Sequence, residues 1–176
     1  MQALRRSLLV LVLLPGATWL RAEPIDAPNV VGITSRLVTS GQPSAAALGA
    51  LGAAGFEAVI YLAPSTVSSA VASEPEILRK QGIAFVHIPI PFGAPTADHA
   101  RAVSDALLRL KDKKVLVHCE VNLRASSMVF LHRAIALREE PARAYAAVSA
   151  VWSPHGPWRK LIEEQLRTAG IKFELL

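Results

Sequence analysis

The chain's single cysteine, Cys119, lies in the run Val115-Leu116-Val117-His118-Cys119-Glu120-Val121-Asn122-Leu123-Arg124-Ala125-Ser126. An apolar strand ends in a His-Cys pair. A short loop follows, then an arginine, then the helical run Ser127-Met128-Val129-Phe130-Leu131. A thiol ahead of a helix N-terminus is readily ionised, because unpaired backbone N–H groups and the helix dipole favour the thiolate. The same N–H groups, with a guanidinium beside them, form a cradle for a tetrahedral oxyanion. A nucleophile and an anion cradle in one loop point to covalent chemistry on phosphate or a similar anion. The competing reading is an inert buried thiol at a strand end. His118 before it and Arg124 after it favour chemistry.

The elements that must position this loop can be read on either side of it. Val30 to Val38 holds short apolar pieces fit for an opening strand or hairpin. Ser44 is a candidate N-cap for a helix over 45–54 that Gly55 closes. Ala58 to Leu62 reads as a buried strand, Glu74 to Gln81 as a helix stopped by Gly82, and Ala84 to Ile88 as a strand ended by Pro89 and Pro91. Thr96 caps a helix over 97–110, with Asp98 and Asp105 on its polar side. Helices are expected over 124–138, from Pro141 to near Trp152, and over 158–169, with Ile171 to Leu176 as a closing apolar tail suited to a strand. Strands alternating with helices predict an α/β fold, a mostly parallel central sheet flanked by helices on both faces. Ligands of such sheets sit at the carboxyl ends of the strands, where Cys119 lies.

Composition narrows the class. At 52% hydrophobic residues the chain can build one real core. Residues 1–22 read as a secretory signal, with Arg5 and Arg6 before an apolar run from Ser7 to Leu14 and a cleavage site near Ala22; the run is short for a membrane span, although an uncleaved anchor stays open. Residues 23–34 read as a linker and opening strand, and 35–176 as the catalytic domain. The expected location is therefore exported, in the periplasm. Taking Arg5, Arg6 and Arg21 from the 19 basic residues leaves 16 against 14 acidic ones, too even a balance to argue for nucleic acid. No cluster has metal-ligand spacing, and nothing calls for a cofactor.

Beyond the loop, further segments carry a resemblance. These are Ser40-Gly41-Gln42-Pro43-Ser44, Val59-Ile60-Tyr61-Leu62, Val86-His87-Ile88-Pro89-Ile90, Ala94-Pro95-Thr96, Val151-Trp152-Ser153-Pro154 and Trp158. Together with the loop, they make the chain resemble the cysteine-based tyrosine and dual-specificity phosphatase superfamily. More narrowly, it is similar to bacterial phosphatase-like proteins related to the domain in beta-lactamase-hydrolase-like proteins. The resemblance implies that Cys119 takes the phosphoryl group and that Arg124 grips two oxygens. Glu120, Val121, Asn122, Leu123, Arg124, Ala125 and Ser126 would then surround the anion. Ser126 would bond the thiolate or help release the phosphocysteine, and His118 would orient the cysteine. The partner would be a phosphorylated protein or a small phosphomonoester.

Two departures stand out. The familiar loop has five residues between Cys and Arg, whereas four stand here. The superfamily's general acid is an aspartate at a place that Pro91 occupies here, and Asp98 and His99 are the nearest substitutes. Glu120 beside the thiol would oppose its ionisation unless the side chain points outwards. A rhodanese-type sulfurtransferase also places four residues before an arginine and needs no general acid, so it is the alternative enzyme. A catalytically weak phosphate-binding module is the alternative without turnover.

Overall fold

The computed structural model describes residues 25–175. The leader read over 1–22 lies outside these residues. Five strands form one sheet: β1 (Val31–Gly32), β2 (Leu37–Ser40), β3 (Ala58–Tyr61), β4 (Ala84–His87) and β5 (Val115–His118), in the order β1-β2-β5-β3-β4. β1 pairs antiparallel with β2, forming the expected hairpin, and every other pairing is parallel. All four residues of β3 and of β5 are buried, as central parallel strands covered on both faces must be.

Side chains alternate across the sheet. Val59 and Leu116 pack with Leu48 and Leu51 of α1 (Ala45–Ala50) and its following turn and with Leu78 of α2 (Glu74–Lys80). Ala58, Ile60, Val115 and Val117 pack on the other face with α3 (Ala97–Arg109), α4 (Leu123–Leu131), α5 (Pro141–Ser149) and α6 (Gly156–Thr168). Helix starts follow local chemistry. Ser44 accepts from the Ala47 N–H, Glu140 accepts from the Ala142 and Arg143 N–H groups, and Thr96 with His99 closes a reciprocal box. α4 is buried from Arg124 to Leu131, so it runs through the core rather than along its surface.

Three local readings change. The helix expected over 124–138 widens into a π-helical turn at His132–Ala136. Arg133 is buried there and grips Glu139 with two bonds of 2.8 Å while donating to the Ala144 carbonyl at 3.1 Å. Residues 171–175 form no strand. The largest change concerns Glu23 to Asn29, read as linker. Asp26 and Pro28 accept backbone bonds from Ser44 and Gly41, which seats residues 26–28 against the exit of β2.

Gly41 is where three segments meet. A Cβ there would lie 2.8 Å from the Glu120 carbonyl oxygen and 2.8 Å from Pro28 Cβ, so the backbone around it would have to shift. Gly41→Ala is expected to destabilise the fold by about 1–3 kcal/mol, read as a lower denaturant midpoint at unchanged slope.

Candidate active site

β5 delivers Cys119 to the carboxyl edge of the sheet, where its N–H donates to the Ser40 carbonyl at 3.2 Å and its side chain is wholly buried. The chain turns at once into α4. Asn122 makes this possible by adopting a left-handed backbone (φ 72°, ψ 0°). That conformation costs a non-glycine residue roughly 1–2 kcal/mol. The Asn122 side chain offsets the cost by donating to the Asn29 carbonyl at 2.6 Å and to Thr39 Oγ1 at 3.1 Å. Asn29 Nδ2 in turn donates to the Val121 carbonyl at 3.0 Å, and the Gln42 N–H donates to the Glu120 carbonyl at 3.0 Å. The loop's carbonyls are thus drawn outwards. The Asn122 N–H faces the Ser40 carbonyl across the antiparallel bridge of Gly41 with Val121. Among the described residues, nothing accepts from the N–H groups of Glu120, Val121, Leu123, Arg124 or Ala125; the Ser126 N–H bonds back to the Asn122 carbonyl.

Arg124 is 5% exposed. Its Nε donates to the Ile90 carbonyl at 2.9 Å, and its guanidinium lies over the Phe92 ring, 5.1 Å from the ring centre. Phe92 is itself held, since its carbonyl accepts from Trp158 Nε1 at 2.8 Å and its ring packs against Trp152 and Trp158. The terminal nitrogens of Arg124 donate to nothing among the described residues; the nearest carboxylate, Glu120, stands 3.7 Å from Nη1. A guanidinium anchored at Nε with its terminal nitrogens open suits two-point binding of an oxyanion.

On the opposite sheet face His118 is wholly buried, bonded to Glu74 and stacked on Tyr61. Burial, aided by the nearby Glu74 carboxylate and Cys119, pushes the Tyr61 phenol up to about 12, so it stays neutral across the working range.

The sequence candidates therefore separate. Cys119, Arg124 and the backbone of residues 120–125 converge in one loop. Ser126 corrects an expectation. Its hydroxyl donates to the Asn122 carbonyl at 2.8 Å and to the Leu123 carbonyl at 3.3 Å, an N-terminal helix brace rather than a bond to sulfur. Asp98 is 81% exposed and paired with Arg101, and His99 closes the cap of α3. The stretch 89–93, searched for an acid, instead holds Arg124 through Ile90 and Phe92. Glu74 and Asn29 carried no signal in the sequence beyond a helix-start acid and a polar linker. Among the described residues no cluster of His, Cys, Asp or Glu is placed to hold a metal, and no helix is long and apolar enough to cross a membrane.

Comparison with known proteins fits this geometry. The model of a family described as "DSP-PTPase phosphatase fused to NAD+ kinase" matches residues 27–160. No curated protein matches the sequence. Among solved structures, a candidate phosphatase (DUF442) from Shewanella putrefaciens CN-32 superposes with a TM-score of 0.73 at 25% identity, covering 81% of this chain and 91% of that one. The active form of Tk-PTP gives a TM-score of 0.63 at 23% identity, covering 81% and 96%. The core catalytic domain of the PP-IP phosphatase SIW14 from S. cerevisiae gives 0.65 at 14%, covering 84% and 94%. The last two share the fold.

Inorganic phosphate is expected to bind the wild-type loop. Arg124→Lys should weaken it by about 10-fold or more, because an ammonium cannot keep the Ile90 bond and present two parallel donors together. Isothermal calorimetry reads the difference.

Proposed function

The chain belongs to the family described as "DSP-PTPase phosphatase fused to NAD+ kinase", and from that membership we propose that it hydrolyses phosphoric monoesters through a phosphocysteine formed on Cys119. The Cys119 thiolate attacks phosphorus, the S–P bond forms, and the ester P–O bond breaks with its electron pair leaving on the alcohol oxygen. The open N–H groups of the loop and the terminal nitrogens of Arg124 meet the charge spread over the three equatorial oxygens. Water then attacks phosphorus, the S–P bond breaks, and thiolate and inorganic phosphate are released. The observation that carries the proposal is the set of loop N–H groups without a protein acceptor, at Glu120, Val121, Leu123, Arg124 and Ala125, next to the sole thiol and an anchored arginine.

Asp98 is the acid that the sequence offers for the leaving oxygen. It stands exposed and ion-paired with Arg101, so turnover favours leaving groups that depart without help. The sulfurtransferase alternative shares the loop length but not the family, and family membership favours phosphate over sulfane sulfur. The leader over 1–22 makes this an exported enzyme, and the N-terminal sequence of the mature protein, expected near Glu23, checks it.

An aryl phosphate should turn over, with an alkyl phosphate slower by about 10²–10⁴-fold in kcat/KM because no positioned acid assists it. Cys119→Ser should bring aryl turnover to background, and acid quenching of the wild type should trap a phosphoenzyme. Oxyanion binding without a trapped phosphoenzyme would make the chain a binding module. Thiocyanate formed from thiosulfate and cyanide, without phosphate release, would make it a sulfurtransferase.

A further inference from the structure

Behind the loop lies a buried group of side chains that the proposed reaction does not use. His118 Nε2–H donates to Glu74 Oε1 at 2.7 Å, and Gln42 Nε2 donates to Glu74 Oε2 at 2.9 Å. His118 is 0% and Glu74 2% exposed. Tyr61 stacks on the imidazole with ring centres 4.7 Å apart, and His87 stacks on Tyr61 at 4.9 Å. The three rings come from adjacent parallel strands in direct register, Tyr61 opposite both His87 and His118. A carboxylate this deeply buried is unfavourable without a proton or a cation, and well-packed apolar residues often serve stability as well as a buried charge pair does. Stability alone therefore gives little reason for Glu74. Its place gives a better one, because its partner His118 is covalently next to Cys119.

We infer that Glu74 is a positioning residue for Cys119 that acts through His118. This deepens the phosphatase reading and rests on it. The carboxylate holds the imidazole in one orientation with its Nε2 protonated, and the ring stack fixes the plane. Gln42 holds the second carboxylate oxygen, so the acid cannot swing away. The bonds from His118 and Gln42 draw on the carboxylate's charge, which would otherwise oppose a thiolate on the neighbouring residue more strongly. The other ionisable groups facing this corner are Tyr61 from β3, His87 from β4 and the Glu120–Arg124 pair of the loop and α4. Tyr61 is neutral, His87 lies one ring farther away, and Glu120 and Arg124 offset each other across 3.7 Å. Glu74 is the charge left at this corner, held by the bonds from His118 and Gln42.

A single cysteine lets thiolate absorbance report Cys119 alone below the range where tyrosines ionise. His118→Ala, which leaves Glu74 unpaired, should raise the midpoint of that titration by about one pH unit, and adding Glu74→Gln should return it most of the way. With an aryl phosphate, Glu74→Ala should lower kcat by about 10-fold or more with KM within about threefold, while Glu74→Gln, which keeps the acceptor, should recover most of the loss. Equal midpoints for His118→Ala and the double variant, or wild-type kcat in Glu74→Ala, would overturn the inference. If Glu74→Ala does not fold by circular dichroism, the isosteric Glu74→Gln series carries the test. The titration needs no substrate, so a chain that hydrolysed no phosphomonoester would end the functional reading and leave this one to stand or fall separately.

Discussion

A left-handed residue at Asn122 is the constraint on which the site depends. β5 and α4 are both buried, and the chain must pass from one to the other between His118 and Leu123. The positive φ of Asn122 makes the tight turn between them. Gly41, Asn29, Thr39 and Gln42 all serve that turn, either by yielding space to it or by bonding its outward carbonyls and the Asn122 amide. The sheet supplies the rigid edge from which it springs.

The charges around the turn are arranged by depth. Arg124 sits on the α4 side of the loop with its Nε spent on a carbonyl, so its remaining donors are directed by geometry rather than by a counter-ion. Glu120 stands at the rim, partly exposed, where solvent screens it. Glu74 lies buried on the far sheet face, where His118 and Gln42 both donate to it.

Much of this was legible in the residues. The alternation of apolar runs with Gly- and Pro-bounded helices was enough for the parallel sheet, and Ser44, Thr96 and Pro141 marked helix starts that the structure keeps. Cys119, Arg124 and the loop between them were visible because strand end, loop and helix start are contiguous in sequence. What was not legible is what arrives from elsewhere in the chain. Ile90 and Phe92 looked like the place of a missing acid, because a carbonyl that accepts from a guanidinium leaves no trace in residue type. Glu74 looked like a favourable first-turn charge, and only the packing of α2 on the sheet shows it buried. Asn29 looked like linker because its partner is distant, and the helix read straight through 124–138 because a π-turn leaves no mark in residue type.

The bonds between Asn29 and the loop span 92 and 93 positions of sequence. Contacts so remote form only after most of the chain has already been brought together, since loop closure must precede them. The turn after β5 is thus a late product of folding rather than a local motif that a fragment could hold. A nascent polypeptide that has reached the end of α4 completes this turn only by retrieving its own beginning.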